Sequence, residues 1–309
     1  MMELHNLRPM KLGMHTYTLH FFGLGESWGF GKDYYFEKTI DIFELMDKAV
    51  AWELDGLQIT KVDIESNTEP SFLAEIKAAA QERQLFLEFN ASFNAGSDSR
   101  VNCTIEEALN IGKAIGAELV KFSLDIIRPR KLYGSCMHPD VMRQLAIRYE
   151  QFNEQLPLIE ELGLQVAIEN HTDTYADEIL WIVNQLAHPQ IGTCVDTMNP
   201  LQVIEGPESA VEKMLPQAIC CHFSDDLIVV DPMGVHDVGA ACGQGSMDMA
   251  KILQRIRDVS CMDRIIFENE IPFLYREEPI EEARAREMQA LEESIDYLRN
   301  ELKVGVRNR

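Results

Sequence analysis

Basic residues are scarce in this chain. Its 309 residues include 28 Lys and Arg against 51 Asp and Glu, which gives a formal net charge of -23. A surface that binds nucleic acid or an anionic membrane needs clustered Lys and Arg. The composition therefore predicts neither nucleic acid nor membrane as a partner. Most of the acidic residues are expected to keep the protein soluble, and a minority are candidate metal ligands.

Cysteine pairs at metal or disulfide spacing are also missing, and so is any long apolar run. The seven cysteines include no CxxC pair, and their odd number fits a reducing compartment better than secretion. No uninterrupted apolar stretch approaches membrane-spanning length, and residues 1–13 lack the apolar core of a signal peptide. The expected location is therefore the cytoplasm.

The chain does contain a regular alternation of short apolar runs with longer amphipathic segments. The segments have helical periodicity, and one of them opens with a capping box from Thr104 to Glu107. The runs are typical of strands that are covered on both faces. They are KLGMHTYTL (11–19), GLQIT (56–60), LFLEFN (85–90), LVKFSL (119–124), QVAIEN (165–170), IGTCVDT (191–197), AICCHFS (218–224) and RIIFENE (264–270).

Repeated alternation of strand and helix predicts parallel strands joined by crossover helices. Eight such units favour a closed (β/α)8 TIM barrel, an α/β fold, over an open doubly wound sheet. The open sheet is the alternative, but its glycine-rich phosphate turn is missing after the first run. No linker divides the chain, so we expect a single TIM-barrel domain over residues 1–309 with a C-terminal helical extension at about 279–302.

Polar residues stand at the ends of the last four predicted strands: Glu169, Asp196, His222 and Glu268. In such barrels the carboxyl ends of the strands form the site, so these side chains are expected to converge. Three carboxylates and an imidazole in a partly dry cavity would repel one another or become protonated without a cation. Taken singly, each acid is more simply a solvated strand end. Together they predict a site for one divalent metal ion, and oxygen and nitrogen ligands suit Mn, Mg, Co or Zn.

The strand-end motifs IEN, VDT, CHFSD and FENE, with the later GQGSMD, resemble the xylose isomerase-like TIM-barrel family (the sugar phosphate isomerase/epimerase family). The resemblance covers almost the whole chain. It implies one metal ion bound by Glu169, Asp196, His222 and Glu268. In the epimerases of that family the two glutamates also transfer protons, which implies catalytic roles for Glu169 and Glu268.

The chain departs from the pattern of the family's ketose epimerases. Many of them carry His three residues after the metal-binding Asp, where this chain has Asn199, and an Arg soon after the metal-binding His, which HFSDDLIVV lacks. A standard ketose 3-epimerase is therefore disfavoured. The extra histidines of the endonuclease IV relatives are also missing.

Five further residues are candidates for catalysis or substrate binding. His171 follows Glu169 by two residues and could act as a general acid or base, or be an ordinary loop residue. We assign substrate contacts to Asn199, to Lys121 as an oxyanion partner, to His236 in the loop before GQGSMD, and to Trp28 in the aromatic first loop. The alternatives are a paired interior lysine, a loop built for its backbone shape, and an apolar plug over the barrel.

Three classes of function fit these residues. The first is a metal-dependent enzyme acting on a keto-sugar or keto-sugar acid through an enediolate. Lyase chemistry is slightly preferred, either decarboxylation of a 3-oxo sugar acid such as 3-oxo-isoapionate or cleavage of a 3-keto C-glycoside, as in C-glycoside deglycosidase alpha subunits. Isomerisation or epimerisation of a sugar is the second. A non-catalytic, metal-stapled sugar-binding barrel is the third. A homo-oligomer or a small partner subunit is left open.

Overall fold

A computed structural model describes residues 8–27, 34–96, 98–232 and 234–306. Within them, eight parallel strands close into a barrel in the order β1-β10-β7-β6-β5-β4-β3-β2. These strands are β1 (Lys11–His15), β2 (Gly56–Ile59), β3 (Phe86–Ser92), β4 (Leu119–Ser123), β5 (Gln165–Glu169), β6 (Ile191–Asp196), β7 (Ala218–Phe223) and β10 (Arg264–Phe267). The predicted TIM barrel is confirmed.

Helices follow the strands and cover the outside of the barrel. They are α1 (Ile42–Ala51), α2 (Pro70–Glu82), α3 (Ile105–Ile115), α4 (Pro139–Leu162), α5 (Ala176–Leu186), α6 (Pro207–Met214), α7 (Met249–Val259) and α8 (Ile280–Asp296). The predicted cap at Thr104 is present, because its side chain accepts a hydrogen bond from the amide of Glu107 at 3.1 Å. No helix of the described residues is both long and apolar enough to cross a membrane.

Two segments differ from the predicted pattern. The first predicted strand continued to residue 19, but β1 ends at His15 and a short 3-10 helix, Thr16–Phe22, follows. The segment predicted as a loop after β7 forms an antiparallel hairpin of β8 (Asp225–Asp231) and β9 (Gly234–Ala240). Most of its apolar residues are exposed or half-buried. The alternation of buried strands with helices, on which the prediction was based, therefore did not reveal the hairpin.

The motif GQGSMD follows the hairpin and binds a carboxylate of the chain itself. The amides of Gly243 and Gly245 donate to one oxygen of Asp225 at 3.0 and 2.9 Å. A Cβ on Gly245 would lie 2.1 Å from Asp225, so this position requires glycine for a close approach. Asp248 caps the start of α7. The backbone geometry of this loop therefore serves to bind Asp225. This agrees with the alternative considered in the sequence analysis, a loop built for its backbone shape.

Candidate active site

Three carboxylates surround one nitrogen of His222 inside the carboxyl end of the barrel. His222 Nδ1 lies 2.9 Å from Glu169 Oε1, 2.8 Å from Glu268 Oε2 and 3.8 Å from Asp196 Oδ2. All four side chains are less than a tenth exposed. Glu169, Asp196 and His222 end or nearly end β5, β6 and β7, and Glu268 directly follows β10. The structure thus brings the four predicted strand-end residues together.

The donor atoms of this cluster fit a divalent cation. Among the described residues, Glu169 Oε1 and Asp196 Oδ2 are buried and accept no hydrogen bond, although both face His222. A buried carboxylate oxygen without a partner is costly unless a cation or proton lies beside it. Potential ligand atoms of Glu169, Asp196 and His222 lie within 4.8 Å of one another. The oxygen and nitrogen donors suit a hard or borderline divalent ion.

A proton fills the role of the cation when the ion is not bound. Burial opposes a charge on His222, but Glu169 and Glu268 raise its pKa well above the usual range. Burial also opposes ionisation of Glu268, which His15 and His222 outweigh, so that the pKa of Glu268 is lowered. Asp196 behaves differently, because burial and then Glu169 raise its pKa to about 7. The cluster therefore has more negative charge than one imidazolium can neutralise.

A second layer of hydrogen bonds fixes the orientation of the ligands. His222 Nε2 lies 2.7 Å from Gln58 Oε1, and Gln58 Nε2 donates to Glu88 at 2.9 Å. Because Gln58 presents its carbonyl oxygen, His222 Nε2–H donates to it, and Nδ1 faces the carboxylates. Nδ1 is protonated when the ion is absent, and loss of that proton frees its lone pair for a metal ion. The side chain of Asn170 bonds to both backbone groups of Asp196: Nδ2 donates to the carbonyl oxygen at 3.0 Å, and Oδ1 accepts from the N–H at 2.7 Å.

Glu169 and Glu268 each have a cationic or imidazole partner on the side away from His222. Lys121 Nζ donates to Glu169 Oε2 at 2.5 Å, and Ser123 donates to the same oxygen at 2.9 Å. His15 Nδ1 lies 2.8 Å from Glu268 Oε1, and Asn90 lies 2.9 Å from the other nitrogen of His15. Each glutamate thus keeps one oxygen for the centre of the cluster.

The sequence matches, over residues 46–301, the family described as Xylose isomerase-like TIM barrel. This chain belongs to that family. Two curated relatives are similar to it. One is the uncharacterized protein YihM of Escherichia coli strain K12, 26% identical over 217 residues, which are 69% of this chain and 61% of the relative. The other is a 3-oxo-isoapionate decarboxylase of Pectobacterium atrosepticum, 24% identical over 138 residues, which are 44% of this chain and 49% of the relative. The matches therefore span less than two thirds of either relative.

Solved members of the xylose isomerase-like fold superpose on nearly the whole chain. D-psicose 3-epimerase, crystallised in the presence of D-fructose, gives a TM-score of 0.65 at 16% identity and covers 95% of this chain and 100% of its own. The IOLI protein with a bound zinc atom gives 0.61 at 16% identity, covering 93% and 98%. A protein from Mycobacterium smegmatis in complex with magnesium gives 0.60 at 15%, covering 96% and 100%. At these identities the likeness shows the fold.

In this xylose isomerase-like barrel, a narrow cavity opens above the cluster. Its free space is about 20 Å³, room for about one water molecule. Of the predicted residues, Lys121, Glu169, His171, Asn199, His222 and Glu268 line it. The side chain of His171 is 17% exposed, and burial, opposed by Glu169, lowers its pKa. The backbone N–H of Asn199 donates to Asp196 Oδ1 at 2.8 Å.

Two other predicted contacts are not among the residues seen to line the cavity. His236 is on β9, its side chain is 49% exposed and 3.7 Å from Asp231, and it does not line the cavity. The exposed hairpin thus holds it away from the ligands described above, and its role as a substrate contact stays a prediction. Trp28 lies outside the described residues. In the same first loop, Phe21 is fully buried and packs against Phe36 and Phe273.

Five residues that line the cavity were not predicted from the sequence: Tyr17, Glu26, Asn90, Thr172 and Glu270. Burial raises the pKa of Glu26 to about 8 even though Lys121 opposes the shift. Burial, Asp226 and Glu268 raise the pKa of Glu270 well above its usual range. Glu26 follows a 3-10 turn rather than a strand, so no strand-end pattern pointed to it. Glu270 was visible as the second acid of FENE.

Gln58 offers a test of this second layer. Gln58→Leu should weaken divalent-metal binding by roughly 10- to 100-fold, the scale for the loss of an outer partner of a metal-binding His. Leucine has no acceptor for His222 Nε2, so the imidazole loses its fixed tautomer and orientation. Isothermal titration of the metal-free protein with Mn2+ measures the change. Gln217→Leu is the control, because Gln217 donates to Asn184 at 3.1 Å and has no contact with the cluster described above, so its loss should leave the affinity at the parental value. Equal affinities in Gln58→Leu and the parent protein would contradict this arrangement.

Proposed function

We propose that this protein is a divalent-metal-dependent enzyme that acts on a keto-sugar or a keto-sugar acid through an enediolate intermediate. The observation that carries the proposal is that three buried carboxylates surround His222 Nδ1. Among the described residues, one oxygen of Glu169 and one of Asp196 accept no hydrogen bond. Glu169, Asp196, His222 and Glu268 would hold the ion. The solved relatives with zinc or magnesium support a metal of this kind without choosing one.

When bound, the ion supplies Lewis-acid polarisation of a carbonyl and charge stabilisation of the enediolate oxygen. The residues of the chain supply the rest. Lys121 keeps Glu169 ionised, because burial opposes the charge but Lys121 and His222 lower the pKa of Glu169 well below its usual range. His15 and His222 do the same for Glu268. Both glutamates are therefore oriented ligands and weak bases. The proton-transfer roles predicted for them from the sequence stay the alternative to transfer by other groups in the cavity.

His171 and Glu26 are the candidates for that proton transfer. His171 lines the cavity beside Glu169, and its lowered pKa favours the neutral imidazole that accepts a proton. Glu26, with a pKa of about 8, remains a protonated acid at neutral pH and can donate one. A base and an acid facing one cavity are what enediolate formation and collapse require.

Lyase chemistry is the version we prefer. In decarboxylation of a 3-oxo sugar acid, the bond to the carboxylate breaks, its electron pair passes to the carbonyl oxygen, and carbon dioxide leaves. The enediolate then takes a proton on carbon from Glu26, the protonated acid of the cavity, or from His171 after the imidazole has taken up a proton from solvent. The similarity to a 3-oxo-isoapionate decarboxylase supports this choice, and so does Asn199 in place of histidine. Cleavage of a 3-keto C-glycoside passes through the same intermediate.

Epimerisation or isomerisation of a sugar is the second candidate, supported by the likeness to D-psicose 3-epimerase. A non-catalytic sugar-binding barrel would need the ligands but not His171 and Glu26 in the same cavity. The net charge of -23 supports a small-molecule substrate rather than a nucleic acid. The cytoplasmic location and the homo-oligomer or small partner subunit stay predictions.

A substrate panel in heavy water separates these functions. Manganese-loaded protein is incubated with 3-keto sugars, 3-keto glycosides and 3-oxo sugar acids, and products are followed by NMR and carbon dioxide release. A decarboxylase should release carbon dioxide and leave one deuterium on the carbon that lost it. An epimerase should exchange deuterium without losing a fragment. Absence of both turnover and exchange across the panel, with tight sugar binding, would favour the non-catalytic barrel.

A further inference from the structure

Two thiols lie in the barrel one layer below the metal cluster. Cys194 precedes Asp196 by two residues on β6, and Cys220 precedes His222 by two residues on β7. The same register pairs Cys194 with Cys220 and Asp196 with His222. Because side chains two residues apart on a strand face the same side, the thiols share the lumen with the carboxylate cluster. These two residues are called the thiol layer below.

The thiol layer is buried and close to one of the proposed ligands. Cys194 and Cys220 are 0% and 2% exposed. Their sulfur atoms and a ring nitrogen of His222 lie within 4.8 Å of one another. The side chain of Gln58 lies 3.6 Å from the sulfur of Cys220, which in turn donates to Glu88 at 3.6 Å. Polar partners therefore already reach this layer.

The donor set differs in kind from the one above it. Two sulfurs and one imidazole nitrogen are ligands that select soft or borderline ions, whereas carboxylates suit harder ones. A zinc ion bound by two Cys and one His keeps metal–sulfur distances of about 2.3 Å and metal–nitrogen distances of about 2.0 Å, which atoms within 4.8 Å of one another can meet with small rotations. Glu88 is 1% exposed and offers a fourth, oxygen ligand.

We propose that Cys194, Cys220 and His222 form a second cation site, which binds a thiophilic divalent ion such as cadmium or zinc. Binding forms two metal–sulfur bonds and one metal–nitrogen bond, and it releases to solvent the two thiol protons and the imidazolium proton that His222 carries in the metal-free protein. Two thiolates neutralise the ion, so a dication can be held in this dry layer. The ion enters through the cavity above, which His222 lines.

His222 belongs to both sites, which couples them. An ion in the thiol layer draws the imidazole away from Glu169 and Glu268, and an ion among the carboxylates holds it there. The thiol layer is therefore an inhibitory site for thiophilic ions. This consequence for activity rests on the proposed function, whereas the binding site itself does not.

Cadmium titration of the metal-free protein tests the site without any substrate. The exposed Cys136 and Cys261 are first replaced by serine, so that surface thiols do not contribute. One equivalent of Cd2+ should then produce the ultraviolet absorption of cadmium–thiolate bonds. The absorption should be lost in Cys194→Ser and Cys220→Ser. Cys221→Ser is the matched control, because Cys221 is equally buried but belongs to the apolar core outside the barrel, and it should retain the signal.

Competition tests the sharing of His222. Preloading with Mn2+ should lower the apparent cadmium affinity of the thiol layer by about tenfold or more, within the usual range of coupling between sites. Asp196→Asn should remove this competition and keep the cadmium–thiolate absorption, so failure of the upper site is distinguishable from failure of the lower one. If a serine variant does not fold, the alanine variant replaces it. The cadmium NMR shift of the unsubstituted protein reports sulfur or oxygen ligands independently.

The proposal is overturned by either of two results. One is a cadmium–thiolate absorption that survives both Cys194→Ser and Cys220→Ser. The other is a cadmium NMR signal of the unsubstituted protein that corresponds to oxygen and nitrogen ligands alone. A cadmium affinity that is unaffected by Mn2+ would overturn the shared His222.

Discussion

Replacement of Glu169, Asp196, His222 and Glu268 together by alanine should leave a folded protein that retains no tightly bound divalent ion and no activity. The reason is that these side chains supply the donor atoms that meet at the centre of the cluster. Metal analysis after dialysis against trace Mn2+ measures the ion content. A control that replaces the exposed Glu75, Glu106 and Glu154 by alanine removes the same number of carboxylates and should keep the ion. Equal metal content in the two variants would refute the assignment.

Asp196→Asn sharpens the same prediction. Asparagine keeps an oxygen that can accept from the amides of Met198 and Asn199, but it removes the charge from the buried oxygen that accepts no hydrogen bond within the described residues. Metal affinity should fall by more than the roughly 10- to 100-fold that an outer partner costs. The metal-free variant should melt at a higher temperature than the metal-free parent protein, because an uncompensated buried charge is gone. Added metal should stabilise the parent protein far more than the variant.

The barrel and the four strand-end residues could be predicted because they depend on local patterns. In a run such as VAIE in β5, the three apolar residues predict a buried strand, and the charged residue that follows predicts its end at Glu169. In a parallel barrel all carboxyl ends lie on one side, so residues far apart in sequence must converge. Convergence of Glu169 and His222 thus follows from topology alone, without knowledge of side-chain rotamers.

The supporting residues were harder to predict, because they depend on register and on side-chain direction. Gln58 lies between apolar residues of GLQIT, and Asn90 ends the run LFLEFN. A polar residue that faces the lumen is the signal that could have identified them. Glu26 leaves no such signal, because it follows a 3-10 turn that replaces the expected end of the first strand. The hairpin β8–β9 was missed for a different reason: most of its apolar residues are exposed or half-buried, so they do not form the buried run used to predict strands.

His171→Ala should keep the fold and the metal but lower turnover by about a hundredfold or more, the usual scale for the loss of an acid–base group. His171 lines the cavity two residues beyond Glu169, and its Nδ1 lies 3.9 Å from Asp173 Oδ1. The ligands Glu169 and Glu268 are held ionised by cationic partners and are weak bases, so a separate imidazole carries the proton. Steady-state kinetics on the substrate identified by the panel, with metal analysis of the same samples, measures both effects.

His171→Gln should recover little of that activity. Glutamine can hydrogen-bond a substrate, but it cannot accept and return a proton at neutral pH. His188→Gln is the matched control, because His188 pairs with the exposed Glu160 at 3.1 Å and does not line the cavity. It should turn over substrate at the parental rate. If both His171 variants do so as well, His171 is a loop residue, and proton transfer belongs to Glu26 or to the metal-binding glutamates. If instead the His171 variants lose the metal, the residue supports the ion and its catalytic role is refuted.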